Sequence, residues 1–226
     1  MKIYAHRGFS GKFAEGSKSA YEEAVKAGAD GFECDIRLTR EGIPICFHDR
    51  NTKRITGRKG YVARLTLTQM LERYEIITLE ELLKLAIEKR RDLIIETKHP
   101  TLKGREVEKK VLRMLERYER KISKSGIRVI LISFSYFAVK YLSRNFGDVG
   151  WVLKRKWKLR FAPTSIIAFD IEKIEKLERS KYLNDKVLLL WTVNTKSQFK
   201  RAVKLEPKGI ITDRPDWMRA SLGAKS

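Results

Sequence analysis

Cysteine, glutamine, acidic charge and long apolar runs are all scarce in this 226-residue chain, and each scarcity removes a class of protein. Only Cys34 and Cys46 occur, too few to staple a secreted scaffold of this length. Neither their spacing nor their neighbours resemble a cysteine metal site, so both are expected to pack as small hydrophobes. The longest apolar stretch, Val187 to Val193, is only strand length, and Met1 to His6 is too short a run for a signal peptide or an anchor. A soluble, cytoplasmic protein is the expectation. Internal repeats, low-complexity segments, zinc-finger spacing and aromatic RNA-binding motifs are all missing, so no specific nucleic-acid partner is expected. Two glutamines and four asparagines beside plentiful Lys, Arg, Glu and Ile match the usage of thermophile proteins.

What is abundant is positive charge. Lys and Arg number 49 against 28 Asp and Glu, a formal net charge of +21. The resulting potential attracts anions and suits a phosphate substrate, an anionic lipid surface or a nucleic acid equally, so it ranks partners by sign alone.

Short β-branched runs alternate with amphipathic stretches, the pattern of a parallel sheet with crossover helices. The runs are Ile3 to Ala5, Gly31 to Ile36, Leu93 to Glu96, Arg128 to Ser133, Val149 to Leu153, Ile166 to Phe169, Val187 to Val193, and Gly209 to Thr212. Helical spacing covers Ser17 to Ala27, Leu79 to Lys89, Arg105 to Ser123, Tyr136 to Asn145, Ile171 to Arg179, and Lys196 to Val203. Eight strands close a (β/α)8 TIM-type barrel, and the length suits one barrel domain over residues 1–226. Thr39 to Gly42 leaves no room for a helix and reads as the turn of an extra β-hairpin. Pairing Leu38 with Ile43 would set Asp35 opposite Cys46 and Glu33 opposite His48. Asn51 to Tyr74 then reads as an excursion over one end of the barrel, within a short insertion at residues 50–76 above the catalytic mouth. The tail after Trp217 is expected to fray.

His6 and His48 follow apolar strand runs, where barrel enzymes place catalytic groups. Glu33 and Asp35 share one face by the two-residue period, and Glu96 closes a third strand. Three clustered carboxylates raise one another's pKa unless a cation compensates, and an oxygen-only set selects Mg²⁺ or Ca²⁺. Two histidines beside such a cation can divide the proton work of phosphodiester cleavage, with Arg7 and Lys98 placed to meet the phosphate charge. Singly, each residue has a plainer reading: a hydrogen-bonded packed histidine, a surface ion pair, a solvent-facing strand.

The residues that carry a resemblance are, in order, His6, Arg7, Gly8; Gly28 to Asp35; Thr39 to Gly42; His48, Asp49; Glu96, Thr97, Lys98; Trp191 to Asn194; and Ile211 to Pro215. Together they resemble the glycerophosphodiester phosphodiesterase family from Ile3 to about Pro215. The resemblance implies a TIM-type barrel, one divalent cation on Glu33, Asp35 and Glu96, and acid and base roles for His6 and His48. It further implies substrate contacts from Arg7, Glu15, Lys98 and Trp191, although a strand tryptophan is ordinarily core. The implied reaction takes a small glycerophosphodiester or a lysophospholipid to glycerol 3-phosphate and an alcohol. Attack by the glycerol 2-hydroxyl to give a cyclic phosphate is one route. Where the family usually reads Pro-Glu-Asn-Thr, this chain has Ala14, Glu15, Gly16 and Ser17, keeping the glutamate and a helix-capping hydroxyl. The basic loop from Lys154 to Arg160, with Trp157 inside it, reads either as a solvated surface or as a grip on an anionic membrane. Two other functions would fit the same barrel: a lysophospholipase D or phospholipase C, and a noncatalytic basic nucleic-acid or membrane binder.

Overall fold

Each of the eight apolar runs forms a strand. A computed structural model describes residues 1–101, 104–177 and 180–223. Its strands are β1 (Lys2–His6), β2 (Gly31–Leu38), β3 (Pro44–Cys46), β4 (Asp92–Thr97), β5 (Val129–Ser133), β6 (Val149–Leu153), β7 (Ile166–Asp170), β8 (Val187–Trp191) and β9 (Gly209–Thr212). All but β3 run parallel, and β1 pairs with both β2 and β9, so the sheet closes into an eight-stranded barrel. The helices are α1 (Lys18–Lys26), α2 (Lys53–Thr56), α3 (Leu67–Leu71), α4 (Leu79–Lys89), α5 (Glu106–Ser125), α6 (Tyr136–Leu142), α7 (Lys196–Val203) and α8 (Pro215–Gly223), with 3-10 turns at Val62–Arg64, Lys156–Phe161 and Ile171–Lys176. Chain closure and surrounding helices make this a TIM-type barrel.

Side-chain alternation divides the apolar residues into two layers. Tyr4, Ile94, Ile130, Ala168, Leu189 and Ile211 fill the barrel, while Phe32, Cys34, Leu93, Leu131 and Phe169 face the helices. Both cysteines are free and buried. At the barrel floor the Tyr4 ring lies so near β9 that a Cβ on Gly209 would stand 2.5 Å from its Cε2. The apolar face of α5, Val107, Val111, Met114, Leu115 and Tyr118, is buried as its spacing implies.

Three expectations need correction. The hairpin is one residue out of the expected register: Ile36 faces Cys46 and Leu38 faces Pro44, so Asp35 is not opposite Cys46, nor Glu33 opposite His48. Thr39 N donates to Ile43 O and Gly42 N to Thr39 O, both at 3.0 Å, closing a three-residue loop with Gly42 left-handed at φ +79°. That loop shape needs a glycine at its last position and moves every partner by one. The stretch from Ile171 is a 3-10 turn ending at Lys176, and residues 178–179 lie outside the described residues. The end of the chain is helical through Gly223, held by buried Pro215 and Met218 and by Trp217 stacked edgewise on Phe199 at 6.2 Å. Only 224–226 of the expected frayed tail lie outside the described residues.

Ile45 and Phe47, on the hairpin face turned away from Cys46, join Val62, Leu65, Met70 and Ile76 in a small separate core. This cluster fixes the segment between the hairpin and α4 beside the C-terminal ends of the strands. Among the described residues, no helix is long and apolar enough to cross a membrane.

Candidate active site

Strand alternation that turns Tyr4 inward also turns His6 inward, one layer nearer the C-terminal mouth. The same logic delivers Glu33 and Asp35 from β2 and Glu96 from β4, with Lys98 two residues on. These side chains, with Arg7, His48, Phe134, Lys154 and Trp191, line a cavity of about 100 Å³. All nine residues singled out from the sequence converge here, eight on the cavity wall and Glu15 directly behind it.

Glu33, Asp35 and Glu96 are almost fully buried, and each presents an oxygen within 4.8 Å of the others. Lys98 Nζ lies 2.7 Å from Glu96 Oε1 and 3.1 Å from Asp35 Oδ1, and Arg7 Nε lies 2.8 Å from Asp35 Oδ2. Asp35 Oδ2 and Glu96 Oε1 nevertheless accept no well-aligned hydrogen bond. Burial and the neighbouring carboxylates push Glu33 well above the ordinary range, and burial followed by Asp35 lifts Glu96 to about 7. Burial acts on Asp35 in the same direction, but Lys98 and Arg7 outweigh it and hold that carboxyl well below its usual value. Two protonation-prone acids around one ionised acid form a donor set suited to a hard divalent cation.

Both site histidines are oriented by carboxylates. His6 Nδ1 is 2.6 Å from Asp213 Oδ1, and its Nε2 points toward Glu33 at 3.9 Å. His48 Nδ1 is 2.7 Å from Asp49 Oδ1. Donation of Nδ1–H to each carboxylate leaves Nε2 as the working nitrogen. Burial lowers the His48 pKa, although Asp35 opposes the shift. The third histidine, His99, is engaged instead with buried Glu108 at 2.6 Å on α5.

Glu15 is committed to cations: Arg7 Nη1 donates to it at 3.0 Å, and Arg54 from α2 donates to both of its oxygens at 2.8 and 2.9 Å. Arg54 also donates to Asp49, so one guanidinium ties the Arg7 bracket to the His48 support. Arg7 itself adopts a left-handed backbone at φ 56°, and its N–H donates to Glu33 O at 3.0 Å. Ser17 caps α1 by accepting from Ala20 N, as its position predicts. Trp191 meets Phe134 edgewise at 5.6 Å, and its indole N–H is buried without an acceptor among the described residues.

Asp213, Asp49, Arg54 and Phe134 are among the residues that sequence reasoning did not place in the site. Asp213 was visible as part of the C-terminal Thr-Asp-Arg-Pro match at the end of a barrel strand. Nothing local marked Arg54, which lies among several arginines in the insertion. Beyond Lys98 a second cavity, of about 240 Å³, opens under the insertion and is lined by Arg37, Arg50 and Arg64.

Residues 6–153 match the model of the glycerophosphoryl diester phosphodiesterase family. A Mycobacterium tuberculosis protein named probable glycerophosphodiester phosphodiesterase 1 is 36% identical over 163 residues, covering 63% of this chain and 60% of its own length. The match thus spans less than two thirds of that relative. A glycerophosphodiester phosphodiesterase from Thermotoga maritima superposes with a TM-score of 0.80 at 23% identity, covering 97% of both chains. An Oleispira antarctica phosphodiesterase, solved with the product sn-glycerol-3-phosphate, superposes with a TM-score of 0.79 at 18% identity, covering 99% of this chain and 97% of that one. Both likenesses establish the barrel.

Proposed function

This chain belongs to the glycerophosphoryl diester phosphodiesterase family, and from that membership we propose that it hydrolyses glycerophosphodiesters to glycerol 3-phosphate and an alcohol. The observation that carries the reading is the convergence, at one barrel mouth, of two carboxylate-backed histidines and three buried carboxylates. The product is the one the Oleispira neighbour holds. In this reading the chain works as one catalytic barrel, with residues 50–76 bounding the mouth through Arg54.

Glu33, Asp35 and Glu96 would hold one divalent cation, Mg²⁺ or Ca²⁺, which when bound neutralises the clustered acids and offsets charge on the phosphate. Arg7 and Lys98 add charge-assisted hydrogen bonds to the non-bridging oxygens. Glu15 holds the Arg7 guanidinium in place from behind. Trp191 presents its ring to the glycerol from the cavity wall.

Cleavage forms a bond from the attacking glycerol hydroxyl oxygen to phosphorus and breaks the bond from phosphorus to the leaving alcohol, and water then opens the cyclic phosphate to glycerol 3-phosphate. The hydroxyl proton must leave and the departing oxygen must gain one. Burial favours neutral His48, which suits it to take the first proton. Asp213 holds the His6 ring through Nδ1, which leaves Nε2 facing the acid cluster and placed to give the second.

Product analysis with glycerophosphocholine, glycerophosphoethanolamine and lysophospholipids tests the proposal. Glycerol 3-phosphate should appear from the deacylated diesters. Release of the headgroup as a phosphomonoester would instead identify a phospholipase C type of cut.

A further inference from the structure

The mouth of the barrel carries a feature that diester cleavage does not use. Phe137, in the first turn of α6, and Trp157 and Phe161, on the 3-10 turn after β6, are exposed by 71%, 58% and 49%. They are the exposed tips of a strip whose middle, half-buried Tyr136 and buried Trp151, is part of the barrel wall. Phe137 touches Tyr136 at 5.8 Å, Tyr136 touches Trp151 at 5.4 Å, Lys158 Nζ lies 5.8 Å from both Trp151 and Trp157, and Trp157 touches Phe161 at 6.3 Å. Leu159, buried on the opposite side of the 3-10 turn, pins that turn to the barrel so that its aromatic neighbours face outward.

Charge along the strip has one sign. Lys154, Arg155, Lys156, Lys158 and Arg160 have no carboxylate partner among the described residues. The only acid between Phe134 and Ser165 is Asp148, which pairs with Arg128 at 2.7 Å before β6 begins, at the far end of the barrel. The strip also borders the catalytic cavity, because Phe134 and Lys154 line both.

Basic residues with aromatic rings suit either an anionic bilayer or single-stranded nucleic acid. Exposed apolar bulk decides between them. Phe137 and Trp157 are the two most exposed large hydrophobic side chains among the described residues, and Arg160, 4.4 Å over Phe161, and Lys158, over Trp157, stand beside them. Apolar tips flanked by cations at headgroup height are what an interfacial anchor presents. We infer that this strip docks the protein on anionic membrane surfaces, with the catalytic mouth opening onto the headgroup layer. Docking is separate from the diesterase reading, since it is measured without turnover.

The test is flotation of the full chain with phosphatidylcholine vesicles, with and without phosphatidylglycerol, at low and high salt. A Phe137→Ala/Trp157→Ala double variant and a Lys156→Glu/Lys158→Glu variant are compared with the parent chain. The parent should float only with phosphatidylglycerol present, and each variant should lose binding by about tenfold or more. Melting temperature and turnover of water-soluble glycerophosphocholine should be unchanged in both, which separates lost docking from lost folding. Undiminished flotation of the aromatic variant would reduce the effect to net charge and overturn the inference. So would no flotation of the parent, or a single-stranded oligonucleotide bound more tightly than anionic vesicles.

Discussion

Asp213, just beyond the last barrel strand, holds His6, at the end of the first, with 2.6 Å between Oδ1 and Nδ1. The contact crosses the seam where β9 meets β1, so barrel closure itself sets the histidine. Asn194 and Ser10 in turn donate to Asp213 and fix its carboxylate. Asp213→Asn keeps the size but presents the wrong donor to Nδ1. Turnover of glycerophosphocholine should fall on the order of 10²- to 10⁴-fold with little change in KM. A wild-type kcat in this variant would show that the contact only packs the loop.

Arg54 bridges Glu15 and Asp49 from a half-exposed position. Exposed ion pairs contribute little to stability, so Arg54→Ala should cost no more than about 1 kcal/mol in denaturant unfolding. Its effect should instead reach kcat, with a loss on the order of ten- to a hundredfold, because both Arg7 and His48 lose their outer support. An unaltered kcat would remove the insertion from the catalytic account.

In the metal-free protein Glu96 is raised from the ordinary 4.5 to about 7 by burial and then by Asp35, and Glu33 is raised as well. A carboxyl with a raised folded pKa stabilises the fold fully below its unfolded pKa, and that stability is lost as pH rises through the folded value. Chelated protein should therefore lose stability between about pH 4.5 and pH 7, with Glu96 alone contributing roughly 3 kcal/mol of the change. A divalent cation must displace the same protons, so its stabilising effect should grow across that window. Thermal melts in chelator and in Mg²⁺ or Ca²⁺ check this. A metal-induced shift that is independent of pH would contradict the assignment of these acids as ligands.

Gly209 lies against the Tyr4 ring at the barrel floor, and Gly147 has open space around its Cβ position. Gly209→Ala should cost about 1–3 kcal/mol by overpacking, lowering Tm by several degrees. Gly147→Ala should leave Tm nearly unchanged. Equal behaviour of the two variants would mean that the floor yields around Tyr4.

The strands were legible because buried parallel strands are continuous apolar runs, and the strand-end polar residues interrupt them at His6, Glu33, Asp35 and Glu96. The hairpin register was not, since a turn read only as tight leaves its loop length open between two and three residues. Gly42 at φ +79° decided it. The pairing of His6 with Asp213 joins residues 207 positions apart and depends on barrel closure, which no local pattern encodes. Arg54 was hidden for another reason: an arginine in a basic segment acquires meaning only from the carboxylates it reaches, Glu15 and Asp49. Trp191, expected at the site although strand tryptophans usually pack in a core, packs against the inner barrel layer and also lines the cavity.

The most direct measurement is turnover of glycerophosphocholine by His6→Ala and His48→Ala beside the parent chain, with melting curves to verify folding. The account predicts that each variant stays folded and loses on the order of 10²- to 10⁴-fold in kcat, the contribution expected of a positioned acid or base. Near-parental turnover in either folded variant would contradict it.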